Sequence, residues 1–248
     1  MKHHYPNVYR LLPEKALSFV DRWKDFSPHS IAIMLKSSFA IFCLALFVRL
    51  TFSITSAGSV QTFDEGILRW VETLRTPFLN FIMLDLTALG GLALTVVLGL
   101  LAVAIFLLAR DPAAAIHLTI TSVGGFYISS WTKSLISRPR PSIIPQLVHA
   151  SGFSYPSGHS LTSAAIYLTM AILACRHFKK IKERITLLGL AGIMITLISF
   201  SRIYLGVHYP SDTLSGALIG LAWALLMAAL FSKTHFSKKI KSLSKSDN

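Results

Sequence analysis

TLSGALIGLAWALLMAALFS, residues Thr213–Ser232, carries no charged side chain. A helix rising about 1.5 Å per residue needs about 20 mostly apolar residues to cross the hydrocarbon core of a bilayer. Backbone polar groups find no water there, so a stretch of this kind reads as a transmembrane helix. Five further stretches upstream read the same way: Ile31–Thr55, Leu86–Ala109, Ala113–Thr132, Ser160–Cys175 and Ile185–Phe200. The second, third and sixth are clean. The first is weaker because Lys36 and Arg49 lie within it, near enough to its ends to snorkel. The fourth and fifth are short and borrow neighbouring residues. The expected fold is therefore all-α: a polytopic bundle of six transmembrane helices with short interfacial helices. A basic N-terminal segment (1–30) precedes the membrane domain (31–232), and a basic tail (233–248) follows it.

Composition agrees. The chain of 248 residues is 53% hydrophobic and 14% charged, with a net charge of +13. A soluble domain carries roughly 25% charge. Basic residues flanking apolar runs point to a membrane surface and not to nucleic acid. Cys43 and Cys175 lie in apolar stretches without metal-ligand spacing and read as packing residues. The first thirty residues lack an apolar core leading to a cleavage site, so targeting is expected to fall to the first span.

Charge sets the orientation. With the N-terminus in the cytoplasm, six crossings put 17 of the 24 Lys and Arg residues on the inner side. The outer side keeps seven: Arg49, Arg69, Arg75, Lys133, Arg138, Arg140 and Arg202. The positive-inside rule favours this arrangement, with both termini cytoplasmic. In the first outer loop Ile67, Val71, Leu74 and Phe78 share a helical face opposite Glu65, Arg69 and Glu72, with Trp70 on the flank. Such a helix either lies on the outer leaflet or packs as a lid over the bundle. Pro13–Phe26 has a fainter pattern of the same kind, and the tail from Lys233 is expected to be solvated and loosely ordered.

Three clusters fall on the outer side: KSLISRPRP (133–141), PSGH (156–159) and SRIYLGVHYPSD (201–212). Lys133, Arg140 and Arg202 are cations at helix ends, and Asp212 is the acid these clusters hold. A bound anion resolves that imbalance. Arginine forks match phosphate oxygens, and lysine adds a point charge. Ser157, Gly158 and His159 open a helix, where backbone N–H groups and the dipole favour an anion, and glycine permits close approach. His208 and Asp212 are four residues apart. A carboxylate so placed holds one imidazole nitrogen and leaves the other free to attack. His159 has no local carboxylate and suits a general acid. Singly, each feature has a plain reading: interfacial anchors, a turn before a helix, a structural histidine. Arg138 is expected to support the site or face the surface, and its loss to matter much less than that of Arg140 or Arg202. His117 reads as a helix–helix hydrogen bonder.

The pattern Lys-x6-Arg-Pro, Pro-Ser-Gly-His and Ser-Arg-x5-His-x3-Asp resembles the signature of the type 2 phosphatidic acid phosphatase superfamily over roughly residues 31–232. The resemblance implies a nucleophile at His208 oriented by Asp212, an acid at His159, and phosphate binding by Lys133, Arg140, Arg202, Ser157 and Gly158. It also implies a six-helix fold, no metal or other cofactor, and a lipid phosphate or isoprenoid diphosphate as substrate. No nucleic acid and no obligatory protein partner are inferred. The length resembles bacterial members, so a bacterial inner membrane is expected, with the site facing the periplasm. Two alternatives stay open: a lipid phosphotransferase using the same site, and an anion transporter lined by the outer cations. A soluble vanadium haloperoxidase is disfavoured by the hydropathy.

Overall fold

The structure, a computed structural model, describes residues 27–56 and 59–243, with backbone alone at 59 and 233–243. The helix expected over Pro13–Phe26 lies outside the described residues. Among the described residues eight α-helices follow in order: α1 Pro28–Thr55, α2 Ser59–Thr73, α3 Pro77–Ala88, α4 Leu92–Leu108, α5 Pro112–Ile136, α6 Gly158–Ala174, α7 Ile181–Tyr204 and α8 Pro210–Leu243. A 3₁₀ turn, Cys175–His177, trails α6. Among the described residues there is no strand.

The starts of α1, α3 and α5 share one chemistry. Ser27, Thr76 and Asp111 accept hydrogen bonds from the N–H groups of Ser30, Leu79 and Ala114, and a proline follows each cap. The cap satisfies an orphan donor, and proline at the first position has no N–H to leave unpaired.

Among the described residues four helical stretches are long and apolar enough to cross a membrane: α1, Gly158–His177, α7 and Pro210–Ser232. A fifth is made by α3 with α4 if they act together, although they bend by 47° at Leu89–Gly91. Thus the first expected span is fully adequate, and Leu86–Ala109 is a broken helix rather than a straight one. Ala113–Thr132, expected to be clean, forms the 25-residue α5 but is not in this set. It turns His117, Thr121, Ser129 and Thr132 into the bundle, which dilutes its apolar character.

Many small and polar residues face the interior, and many large apolar ones face outward. Ala164, Ala165, Ala224, Ser160, Ser163, Ser201 and Ser215 are buried, whereas Phe39, Phe42, Phe52, Leu100 and Ile185 are exposed. In water this distribution has no driving force; in lipid, small residues let helices approach closely. The most extensive packing joins α6 to α8. A Cβ at Gly216 would lie 2.4 Å from the Ser157 carbonyl, and one at Gly220 2.4 Å from that of Leu161. Glycine is required at both. Gly90, in the α3–α4 break, is likewise pressed against Ile198, Ser163 and His159.

The connection after α1 does contain an amphipathic helix, α2, and it packs against α1, α7 and α8. Its buried face is Asp64, Leu68 and Val71, whereas Phe63 and Trp70 are exposed. Leu74 lies beyond its end and Phe78 belongs to α3. The bundle, and not an apolar stripe alone, selects the inward face. His117 is fully buried and stacks on Phe231 at 4.5 Å. Neither of its ring nitrogens has a hydrogen-bond partner among the described residues, so it packs and does not bond as expected. At the C-terminus α8 runs on to Leu243, so the expected loose tail begins as helix.

Candidate active site

The ends of α5 and α7 and the starts of α6 and α8 meet at one end of the bundle. Lys133 sits in the last turn of α5, which stops at Ser137 in a left-handed conformation. Pro139 and Pro141 then keep Arg138 to Pro141 from resuming a helix. Ser157 caps α6 with its hydroxyl 3.5 Å from the Ser160 nitrogen. The missing side chain of Gly158 leaves clearance beside Ser129 and Lys133. The Ser157 N–H donates to the Asp212 carbonyl at 2.9 Å, tying the start of α6 to that of α8.

Arg202 is buried in the last turn of α7, where it donates from Nη1 to Thr87 Oγ1 at 2.6 Å. Its buried Nε has no partner among the described residues. An orphaned guanidinium nitrogen is costly, and an anion in the site would satisfy it. After α7 the chain reverses through Gly206, at φ +75. A side chain there would be strained by that φ and would also crowd Arg75 Nη2 and the Pro145 carbonyl. Arg75 caps this turn by donating to the carbonyls of Tyr204 and Pro145.

The reversal delivers His208 to a fully enclosed position. Its Nδ1 lies 3.6 Å from Asp212 Oδ2, an ion-pair distance but longer than a hydrogen bond. Its Nε2 lies 3.2 Å from Arg140 Nη1. Arginine can only donate, so Nε2 is the acceptor and the ring proton sits on Nδ1, facing Asp212. Burial is the main cause that pushes the His208 pKa down, to about 4; Asp212 pulls it up, and Arg140 and Arg202 lower it further. Burial also lowers the pKa of Arg140, against the pull of Asp212. Arg140 is further held by the carbonyls of Val207, Gly152 and Ser151, and Lys133 by that of Phe153. His159 lies within electrostatic reach of Arg202, His208, Lys133 and Arg140. All eight expected positions, Lys133, Arg140, Ser157, Gly158, His159, Arg202, His208 and Asp212, therefore gather in one place.

Of the two roles expected for Arg138, support of the site or a place on the surface, the structure shows the first. It is buried and bridges two carboxylates, Asp212 at 2.7 Å and Asp64 at 2.9 Å, while lying 4.0 Å over the Tyr209 ring. Burial alone would lower its pKa, but Asp212 and Asp64 outweigh it and the net shift is upward. Asp64, Arg75 and Thr87 were not singled out as site residues in the sequence. Asp64 had one signal: it shares the i, i+4, i+7 face with Leu68 and Val71, and an acid on a buried face needs a partner. Arg75 and Thr87 had none.

A model of the PAP2 superfamily matches residues 112–236, which hold all three motifs. The chain belongs to the PAP2 superfamily. It is 32% identical to phosphatidylglycerophosphatase B of Bacillus subtilis over 203 residues, covering 80% of this chain and 95% of that protein. An undecaprenyl-diphosphatase of Sulfolobus acidocaldarius is 25% identical over 82% of this chain and 95% of its own length. The crystal structure of the transmembrane PAP2 type phosphatidylglycerolphosphate phosphatase from Bacillus subtilis superposes with a TM-score of 0.72 at 30% identity, covering 81% of this chain and 96% of that one. This PAP2 protein is thus a membrane phosphatase. Helices α1 to α4, with Asp64, Arg75 and Thr87, lie outside the segment matched by the PAP2 model.

Proposed function

We propose that the protein removes the terminal phosphate of a phospholipid or an isoprenoid diphosphate at the outer face of a bacterial inner membrane, through a phosphohistidine at His208. The observation that carries this reading is the placement of His208, with Nδ1–H toward Asp212 and Nε2 toward Arg140. Nε2 then offers its lone pair to phosphorus once Arg140 turns from it to a phosphate oxygen. The P–N bond forms as the P–O bond to the lipid breaks. Positive charge develops on the ring, and the contact with Asp212 tightens, as catalytic contacts that are long in the free enzyme do. Arg140, Arg202 and Lys133 stabilise the negative charge on the phosphoryl oxygens. A phosphate seated among them also brings negative charge beside His159. That charge favours the protonated ring, and the His159 imidazolium gives its extra proton to the departing oxygen; the neutral imidazole left behind then takes one from water. The resulting hydroxide attacks phosphorus, the P–N bond breaks, and its electron pair returns to Nε2.

The lipid class is supported by an apolar groove of about 360 Å³ between α4, α5 and α6, lined by Leu92, Val96, Leu100, Phe126, Thr162 and Ile166. Thr162 is one turn from His159, so a tail in the groove would hang from the oxygen that His159 protonates. The catalytic domain proposed is 31–232, with cytoplasmic termini as the basic-residue split favours. The test is rapid quenching without acid after mixing with phosphate-labelled lipid. Label is expected on wild type and not on His208→Ala. Label retained on His208→Ala but lost from His159→Ala would reverse the two roles.

A further inference from the structure

Asp212 faces two cations: Arg138, which it touches, and the ring that His208 becomes. One carboxylate bound to one guanidinium is a neutral pair, and a neutral pair does little for a third charge. The arrangement around Arg138 changes that. Asp64 Oδ2 accepts from Arg138 Nη2 at 2.9 Å, and Asp64 Oδ1 accepts from the Ser211 N–H at 2.9 Å. The Ser211 hydroxyl donates to Asp64 and accepts from Arg138 Nη1 at 2.8 Å. Gln61 Oε1 takes another proton of Arg138 at 2.7 Å. Asp64 and Asp212 are fully buried, and Arg138 nearly so.

We infer that Asp64 is a positioning residue of the active site, and that it acts through Arg138 to leave Asp212 with charge to spend on His208. With Asp64 present, the buried set of Asp64, Arg138 and Asp212 carries one net negative charge. That charge is matched when His208 becomes a cationic phosphohistidine. Without Asp64 the set is neutral, and nothing in it offsets the ring's charge in a region where water does not. Asp64 also fixes where the set stands. It grips the Ser211 backbone in the first turn of α8, next to Asp212, and α2 holds Asp64 inward through Leu68 and Val71. Arg138 meanwhile donates to Asp212 Oδ1 at 2.7 Å, and the Tyr209 N–H to Oδ2 at 2.9 Å, so the carboxylate cannot rotate away from His208. The first outer loop is therefore a working part of the site, although it touches no substrate atom.

This inference rests on the His208 reading above, and the experiment separates the two. The full chain, purified in detergent, is assayed for phosphate release as wild type, Asp64→Asn, Asp64→Glu and His208→Ala, with thermal melting measured on each. Asp64→Asn keeps the shape and removes the charge. One buried charge at two removes, at an effective dielectric near 20, corresponds to roughly a tenfold effect on a step that creates positive charge. Expected for Asp64→Asn are a kcat lower by about that factor and a KM within about twofold, since no substrate contact is lost. Vanadate inhibition should weaken in parallel with kcat/KM, as binding of a transition-state mimic does. Asp64→Glu, which restores the charge, should recover most of the kcat. An unchanged kcat, a loss seen in KM alone, or equal losses for Asn and Glu would each overturn the inference. Activity in His208→Ala would instead overturn the reading beneath it. If Asp64→Asn does not accumulate as folded protein, Ser211→Ala decides. It removes the hydroxyl shared by Asp64 and Arg138 without stranding a charge, so kcat should fall by about threefold or more at constant KM; an unaltered kcat overturns the inference.

Discussion

Gly216→Ala is the smallest change that tests how the site is assembled. The added methyl would stand 2.4 Å from the Ser157 carbonyl oxygen, 3.1 Å from Ser160 Cβ and 3.3 Å from the Leu161 nitrogen. All but one of these neighbours are backbone atoms, so no side chain can swing aside. Ordinary van der Waals contact begins near 3.4 Å, so the start of α6 must retreat from α8 by about 1 Å. Ser157 is the wrong residue to move. Its N–H holds the Asp212 carbonyl, and Gly158 and His159 follow it. The displacement therefore separates His159, the proposed acid, from His208, the proposed nucleophile. A misplacement of about 1 Å costs on the order of 10²-fold in rate. Overpacking of this kind costs about 1–3 kcal/mol of stability, which a folded protein can survive. The assay is steady-state phosphate release from a lipid phosphate in detergent, alongside thermal melting followed by circular dichroism. The expected result is a folded protein with kcat/KM down by about two orders of magnitude. Gly220→Ala meets the Leu161 carbonyl at the same 2.4 Å but one turn deeper, and should lose less activity for a similar loss of stability. A Gly216→Ala enzyme within about threefold of wild type would refute the claim that the α6–α8 contact sets the distance between the histidines.

Arg138→Ala leaves Asp64 and Asp212 buried without a counter-charge, which should cost about 3–5 kcal/mol of stability. It should be at least as damaging to phosphate release as Arg140→Ala or Arg202→Ala, each expected to lower kcat by about 10²–10³; normal melting and near-normal turnover would refute the bridging role. The His208 pKa is depressed to about 4, so its imidazole is neutral above that pH and gains a proton only as pH falls through it. The acid limb of kcat/KM, corrected for the second ionisation of the substrate phosphate near about 6, should therefore lie well below the 6.5 or so of free imidazole; a limb at 6.5 would refute the burial argument. By the same shift, the contribution of neutral His208 to stability is complete above about 6.5 and is lost as pH falls from there to about 4, which melting curves across that range can check. Activity should survive chelators and be inhibited by vanadate; complete loss in EDTA restored by magnesium would require a different mechanism. A cysteine at position 149 should react with an impermeant reagent in cells with a permeabilised outer envelope, while one at position 240 should not, and the reverse would invert the topology.

The sequence by itself determined the class of the protein and picked out three clusters that the structure gathers at one end of the bundle. Length and apolarity are local properties, so Thr213–Ser232 declares a membrane helix without reference to anything around it. The three motifs are also local: Pro156 to His159 are contiguous and His208 lies four residues before Asp212, so the spacing carries the chemistry. Lys133, Arg140 and Arg202 could be proposed as phosphate ligands because cations clustered near helix ends ask for an anion. Tertiary structure decided what depends on chain segments meeting. Arg138 looked peripheral because its partner Asp64 lies 74 positions away on another helix, and an ion pair between distant segments leaves no spacing to read. Which side of α2 turns inward was set by Leu68, Val71 and that same pair, against a sequence face that ran on into α3. The break at Leu89–Gly91, and the need for glycine at 90, 216 and 220, come from how closely neighbouring helices approach. Glycine in a sequence signals freedom of the backbone; only the packed bundle shows that here it provides space, and that the space brings His159 to His208.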